Sequence, residues 1–208
     1  MIRYIAGLDW SGDPGDPSKN PEGNPLLVVC SCHVKVEDHF LLDDTLKRLR
    51  SQLRVSENYI FKHMRSAQST RNMFMNAMIG CPVVIHVGIV DRRAWSLDYL
   101  KLTNSTERLL TALSEHFAQC NDAIVCGQRL LVDTNRAEKK FISSLTLALR
   151  KSNRRMDRGS FKNVVARPDH RTDAALVQVA DMFAGHFNRS DRSGEMNLSP
   201  KIIVRHLN

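Results

Sequence analysis

The order of apolar runs along this chain restricts the sheet it can build. Residues 2–9 form a continuous apolar run, the pattern of a strand buried on both faces. Strand-like runs follow at Leu26–Val34 and, more briefly, at Val36–Leu42, where apolar and polar residues partly alternate. Later strand runs, at 83–90, 129–133 and 161–166, are separated by stretches with helical spacing. Those stretches are 43–54 (Leu46, Leu49, Leu53), a Met-rich segment at 68–79, 104–120 (Leu109, Leu110, Leu113, Phe117), 136–150 and 172–187. Strands in series pair as an antiparallel meander, whereas strands divided by helices return as parallel crossovers. The chain therefore predicts an α/β fold with a mixed sheet covered by helices on both faces. At 208 residues it fits one domain spanning 1–208. Residues 11–25 carry four prolines and three glycines and predict a long loop. The tail beyond Asn188 is polar until Ile202–Val204.

Charge adds a location. Thirty Lys and Arg against 22 Asp and Glu leave a net charge of +8. Ten basic and two acidic residues fall between Lys139 and Arg171, so the whole excess sits in that segment. A basic patch of this kind suits a polyanionic partner, nucleic acid above all. Lys151, Arg154, Arg155, Arg158, Arg167 and Arg171 are the candidate phosphate contacts. Only Phe161 interleaves them, so stacking on single-stranded bases is not indicated. No apolar run reaches the ~18–20 residues of a membrane helix, and the first residues lack a signal-peptide core. Five cysteines (30, 32, 81, 120 and 126) are an odd number without a CxxC pair. They read as reduced, buried thiols in a cytoplasmic protein rather than a zinc set or a disulfide framework.

Four carboxylates stand where chemistry is usually built. Asp9 ends the first strand run, in Leu8-Asp9-Trp10-Ser11-Gly12, and Asp133 ends another, in Leu131-Val132-Asp133. Asp181 interrupts an apolar helix, in Gln178-Val179-Ala180-Asp181, and Asp173 opens that helix about 80° around from it. Strand ends in an α/β sheet form the edge where ligands bind. Clustered carboxylates repel one another, and a divalent cation resolves the repulsion. Two such ions ~3.5–4 Å apart serve phosphodiester hydrolysis by stabilising both attacking and leaving oxygens. Each acid also has a plain structural role: Asp133 as a helix cap, Asp173 as a dipole partner, Asp9 as a turn former. Asp13, among prolines and glycines, reads as a turn residue. Lys62 and His63 are either an exposed basic loop or groups that orient a phosphate or carry a proton. The Ser-hydrolase elbow and the phosphate-binding glycine loops are absent from the sequence.

Asp9-Trp10-Ser11-Gly12 resembles the amino-terminal Asp-Glu-Ser-Gly motif of the domain-of-unknown-function 3800 family. Gln178-Val179-Ala180-Asp181 resembles that family's carboxy-terminal Gln-Leu-Ala-Asp helix, and Leu131-Val132-Asp133 its middle strand-end aspartate. Motif order and spacing agree over about residues 3–187. The resemblance implies a ribonuclease H-like fold, with the antiparallel meander first, the parallel strands after it, and helices flanking the sheet. It also implies Asp9, Asp133 and Asp181 as catalytic metal ligands, with Asp173 as a further candidate ligand and Mg²⁺ or Mn²⁺ as the cofactor. Trp10 departs from the pattern, because it stands where the family has glutamate. The expected function is a metal-dependent, nuclease-like phosphodiesterase acting on nucleic acid. The alternative is a non-catalytic nucleic-acid-binding module of the same fold, which Trp10 favours. A weaker third reading, nucleotide-dependent phosphoryl chemistry, has no phosphate loop to support it. No membrane association is expected, and the Met-rich segment offers a face for self-association.

Overall fold

A computed structural model describes residues 3–19, 22–95, 101–102, 104–120, 128–132, 139–155, 163–166, 171–189 and 201–207. Its strands are β1 (Tyr4–Ser11), β2 (Leu26–Lys35), β3 (Val83–Asp91), β4 (Gln128–Val132), β5 (Asn163–Ala166) and β6 (Ile202–His206). The helices are α1 (His39–Gln52), α2 (Gln68–Ile79), α3 (Ser105–Ala118), α4 (Lys139–Arg155) and α5 (Arg171–Arg189). The six strands form one sheet in the order β5-β4-β1-β2-β3-β6. β1, β2 and β3 make an antiparallel meander, while β4 runs parallel to β1, β5 to β4 and β6 to β3.

One expected strand is a helix instead. Val36–Asp38 forms a short 3-10 turn and α1 begins at His39. The third strand of the meander is therefore Val83–Asp91, reached only after α1 and α2. Leu42, Leu46 and Leu49 are buried at helical spacing, and each buried leucine contributes about 1.5–3 kcal/mol. That stripe outweighs the weak alternation of 36–42, and Leu42 belongs to it. The apolar residues of the tail also take a definite place, since β6 forms the sheet edge beside β3.

Alternation along the strands divides the core in two. On one face Val28, Cys30, Cys32 and Val34 of β2 meet α1, α2 and α5 through Leu46, Phe74, Met78, Leu176 and Phe183. On the other face Leu27 and Val29 meet α3 and α4 through Leu113, Phe117, Leu145 and Leu149. Met75 and Met78 of the Met-rich helix lie in the core, and Met73 stays at the surface. Asn104 caps α3, its side-chain oxygen accepting from the Glu107 amide at 2.9 Å. Cys30, Cys32, Cys81 and Cys120 are buried thiols outside any disulfide. Among the described residues no helix is long and apolar enough to cross a membrane.

Buried Arg92 helps tie down the Pro/Gly-rich loop after β1. Arg92, 1% exposed, donates to the carbonyls of Asn24 (3.0 Å) and Gly15 (2.8 Å) and pairs with Asp13 at 3.7 Å. Asp13 accepts from the Gly15 amide at 2.7 Å, so it is the turn residue its surroundings suggested.

α5 comes very close to β1 at Gly7. A Cβ there would lie 2.3 Å from the carbonyl carbon of Leu176 in α5. Gly7→Ala should therefore destabilise the protein by about 3 kcal/mol, lowering Tm by roughly 6–12 °C for a chain of this size. A thermal melt of the variant checks this; an unchanged Tm would mean that α5 does not sit so close.

Candidate functional site

Two contacts fix α5 along β1. Leu176 packs on Gly7, and twelve residues later the Asn188 amide donates to the carbonyls of Ser11 (3.1 Å) and Leu26 (3.0 Å). Asn24 closes the corner by donating to the Asn188 side-chain oxygen and to its carbonyl (3.2 Å). Helix and strand thus run in the same direction. Asp9 lies between Gly7 and Ser11 on the face of β1 that meets α5, because side chains alternate along a strand. Asp181 lies between Leu176 and Asn188, seven residues before Asn188 and hence on the same helix stripe. The two carboxylates share one face of the sheet at the carboxyl end of β1.

The thiol of Cys30, paired with Asp9 across the β1–β2 ladder, registers both charges. Burial pushes its pKa well up, and the neighbouring Cys32, Asp9 and Asp181 push it further in the same direction.

Both aspartates are oriented by main-chain amides. Asp9 Oδ1 accepts from the Trp10 amide at 2.8 Å. Asp181 Oδ2 accepts from the His63 amide at 2.6 Å, while Gln178 Oε1 accepts from the Phe61 amide at 2.9 Å. Residues 178 and 181, one helical turn apart, thereby hold alternate amides of an extended segment. Gly185 completes the seat, since a Cβ there would lie 2.3 Å from the His63 ring. Within 175–184 of α5 every residue is buried except Asp181, which is half-buried. An acid in such surroundings requires partners, and the docked segment supplies one.

His63 is accordingly a buried residue and not part of an exposed loop. Burial, then the cations Arg71 and Arg189, and then His186, lower its pKa to about 4. It is neutral near pH 7. Arg71 lies 3.5 Å from His63 Nε2, and because a guanidinium can only donate, Nε2 is the acceptor. Arg71 also donates to the Ser66 carbonyl at 2.9 Å. Positive charge around His63 thus comes from Arg71 in α2 and Arg189 at the end of α5, both outside 139–171. Nothing in the sequence marked them: Arg71 sits in the Met-rich stretch expected to form a helix, and Arg189 lies just beyond the helix expected at 172–187.

The remaining candidates stand as follows. β4 ends at Val132, the partner of Leu8 in the parallel ladder, one residue before Asp9. Asp133, Arg158 and Arg167 lie outside the described residues. Asp173 and Arg171 open α5, and Lys151, Arg154 and Arg155 close α4, but their side chains are outside the described part. β1 continues two residues past Asp9, so Asp9 is inside the ladder, paired with Cys30, and not its terminal residue. Trp10 turns to the opposite face and packs against Phe141 of α4, ring centroids 5.6 Å apart. Trp10 therefore points away from the side that holds Asp9 and Asp181.

The donor chemistry suits a hard divalent cation: carboxylate oxygens at a sheet edge, each held in orientation by an amide. No protein-family model matches the chain, and no curated protein does. Among solved structures it is similar to ribonuclease H2 from Pyrococcus horikoshii OT3. That similarity has a TM-score of 0.50 at 17% identity and covers 95% of this chain and 82% of the other. Together with the sheet order and helix layers, this defines the class: a ribonuclease H-like α/β fold.

Asp181→Ala removes the acceptor of the His63 amide and should cost about 1–3 kcal/mol. Asp181→Asn keeps a side-chain oxygen and should cost less than half as much. Urea unfolding of the two variants measures the difference, and equal losses would contradict the docking role.

Proposed function

We propose that this chain is a divalent-metal-dependent phosphodiesterase acting on nucleic acid. The observation that carries the reading is the shared placement of Asp9 and Asp181 on one face of the sheet, at the carboxyl end of β1. Asp9 and Asp181 hold the metal, with Asp133 completing the set and Asp173 as an additional ligand, as the likeness to the domain-of-unknown-function 3800 motifs implies. Mg²⁺ or Mn²⁺ held there would supply activation of a water and stabilisation of the departing oxygen. The protein's own part is to present two oriented carboxylates and to receive the phosphate backbone. Arg71 and Arg189, the cations around His63, serve that task on the α5 side. Lys151, Arg154, Arg155, Arg158, Arg167 and Arg171 extend the grip along the strand, since phosphate contacts position a nucleic acid without reading its sequence. His63, neutral and fixed beneath Asp181, positions that carboxylate through its amide; its ring is not required as a proton carrier.

A second reading, a non-catalytic nucleic-acid-binding module of the same fold, is favoured by two observations. Trp10 packs with Phe141 on the far side of the sheet. Gln178 and Asp181 also have a structural task, holding the 61–63 segment, that needs no metal.

Incubation with RNA, DNA and hybrid duplexes in Mg²⁺ or Mn²⁺ separates the two. Catalysis predicts metal-dependent cleavage that falls at least ~100-fold in Asp9→Asn and Asp181→Asn, the upper end of the loss seen even for outer-shell partners of a metal. Absent cleavage, with binding that weakens steeply between ~50 and 200 mM salt, supports the binding module. Cleavage that survives both substitutions rejects the assignment of this site.

A further inference from the structure

A second cluster of metal-competent side chains lies on the opposite face of the sheet, away from Asp9. Ser31 and His33 come from β2, His86 from β3 directly across from Ser31 in the ladder, and His116 and Cys120 from α3 and its end. All five are buried, none more than 3% exposed. One ligand atom each from His33, His86 and Cys120 falls within 4.8 Å of the other two. His86 Nε2 has no hydrogen-bond partner among the described residues, although His86 is 2% exposed. A buried polar nitrogen left in that state is unfavourable.

We infer that His33, His86 and Cys120 form a buried binding site for a thiolate- and imidazole-preferring divalent ion, Zn²⁺ foremost. Two imidazoles and a thiolate are a zinc donor set, unlike the hard oxygen donors on the other face. Tetrahedral zinc needs its nitrogen and sulfur donors roughly 3.3–3.6 Å apart, so side-chain movements of about 1 Å close the present spacing. The surroundings already orient the ligands. Ser31 Oγ lies 2.7 Å from both His33 Nε2 and His116 Nε2. Its single proton serves one ring, so the other ring must donate to it. With His33 donating from Nε2, Nδ1 carries the lone pair a metal requires, in the manner of ligating histidines that donate their second N–H to an outer oxygen. The Cys120 thiol donates to the His116 carbonyl at 3.4 Å and would lose that proton to solvent on binding, one proton per ion. Arg205 of β6 acts on both His86 and His116 and opposes a cation; the new thiolate offsets one of the ion's two charges. The ion would fasten the end of α3 to β2 and β3, a structural role that stands or falls independently of the nuclease reading.

The test uses the full chain, stripped with chelator and titrated with Zn²⁺ and with Co²⁺. The expected result is one equivalent bound, release of one proton, a higher Tm, and a thiolate-to-cobalt charge-transfer band in the near ultraviolet. Cys120→Ser and His86→Gln should abolish the band, whereas Asp9→Asn should retain it. If those variants do not fold, X-ray absorption of the wild-type zinc complex decides, with one sulfur and two imidazoles expected. Failure of the wild type to bind zinc, a band that persists in Cys120→Ser, or a metal shell of oxygen and nitrogen alone would overturn the inference.

Discussion

The seating of α5 on β1 controls the rest of this fold. A helix can approach a strand closely only where no side chain intervenes, and Gly7 opens that place beneath Leu176. Asn188 then pins the far end of the same helix to the last residue of β1 and the first of β2. Between these two points the helix has no freedom to roll, so the azimuth of Asp181 is set by contacts on either side of it. Asp9 faces the helix by the alternation of β1 alone. An acid pair results without any direct contact between the two residues having to create it.

The polar groups in this layer are affordable because each is given a partner. Gln178 and Asp181 would be unfavourable in an apolar helix left to itself. The extended segment at 61–63 brings two main-chain amides that also need acceptors, and the two deficits offset each other. The same arrangement buries His63 and keeps it neutral, with Arg71 and Arg189 close enough to help hold it so. Structure and chemistry thus draw on the same residues: a carboxylate that secures a loop is also presented, rigidly, at the sheet edge.

The two sheet faces differ in donor character. The candidate ligands on the α5 face are carboxylate oxygens, while those on the α3 face are imidazoles and a thiol, with Ser31 Oγ between two of the rings. A strand separates them by pointing alternate residues up and down, so neighbours such as Asp9 and Trp10 serve unrelated surroundings. This is why Trp10 neither blocks nor completes the acid pair.

Much of the architecture was legible because it rests on local periodicity. The β1 and β2 runs, the Met-rich helix at 68–79, the capped helix from Ser105 and the apolar helix carrying Asp181 all follow from spacing within a dozen residues. The 36–42 run was misread where that signal is weakest: a few alternating residues adjoin a helix whose leucine stripe recruits Leu42. β6 was underestimated because five residues acquire strand character only by pairing with β3. The order of the acids along the chain marked Asp9 and Asp181, and the excess of charge marked 139–171. Their neighbours were not legible: Arg71 and Arg189 lie 118 residues apart, and His33, His86 and Cys120 share no motif spacing. Sequence by itself determined which segments become helices and strands and which faces are apolar, because both are properties of short stretches. Only the tertiary structure decided which charged and metal-competent side chains meet, because that depends on the crossing of α5 over Gly7 and on ladder register between strands distant in the chain.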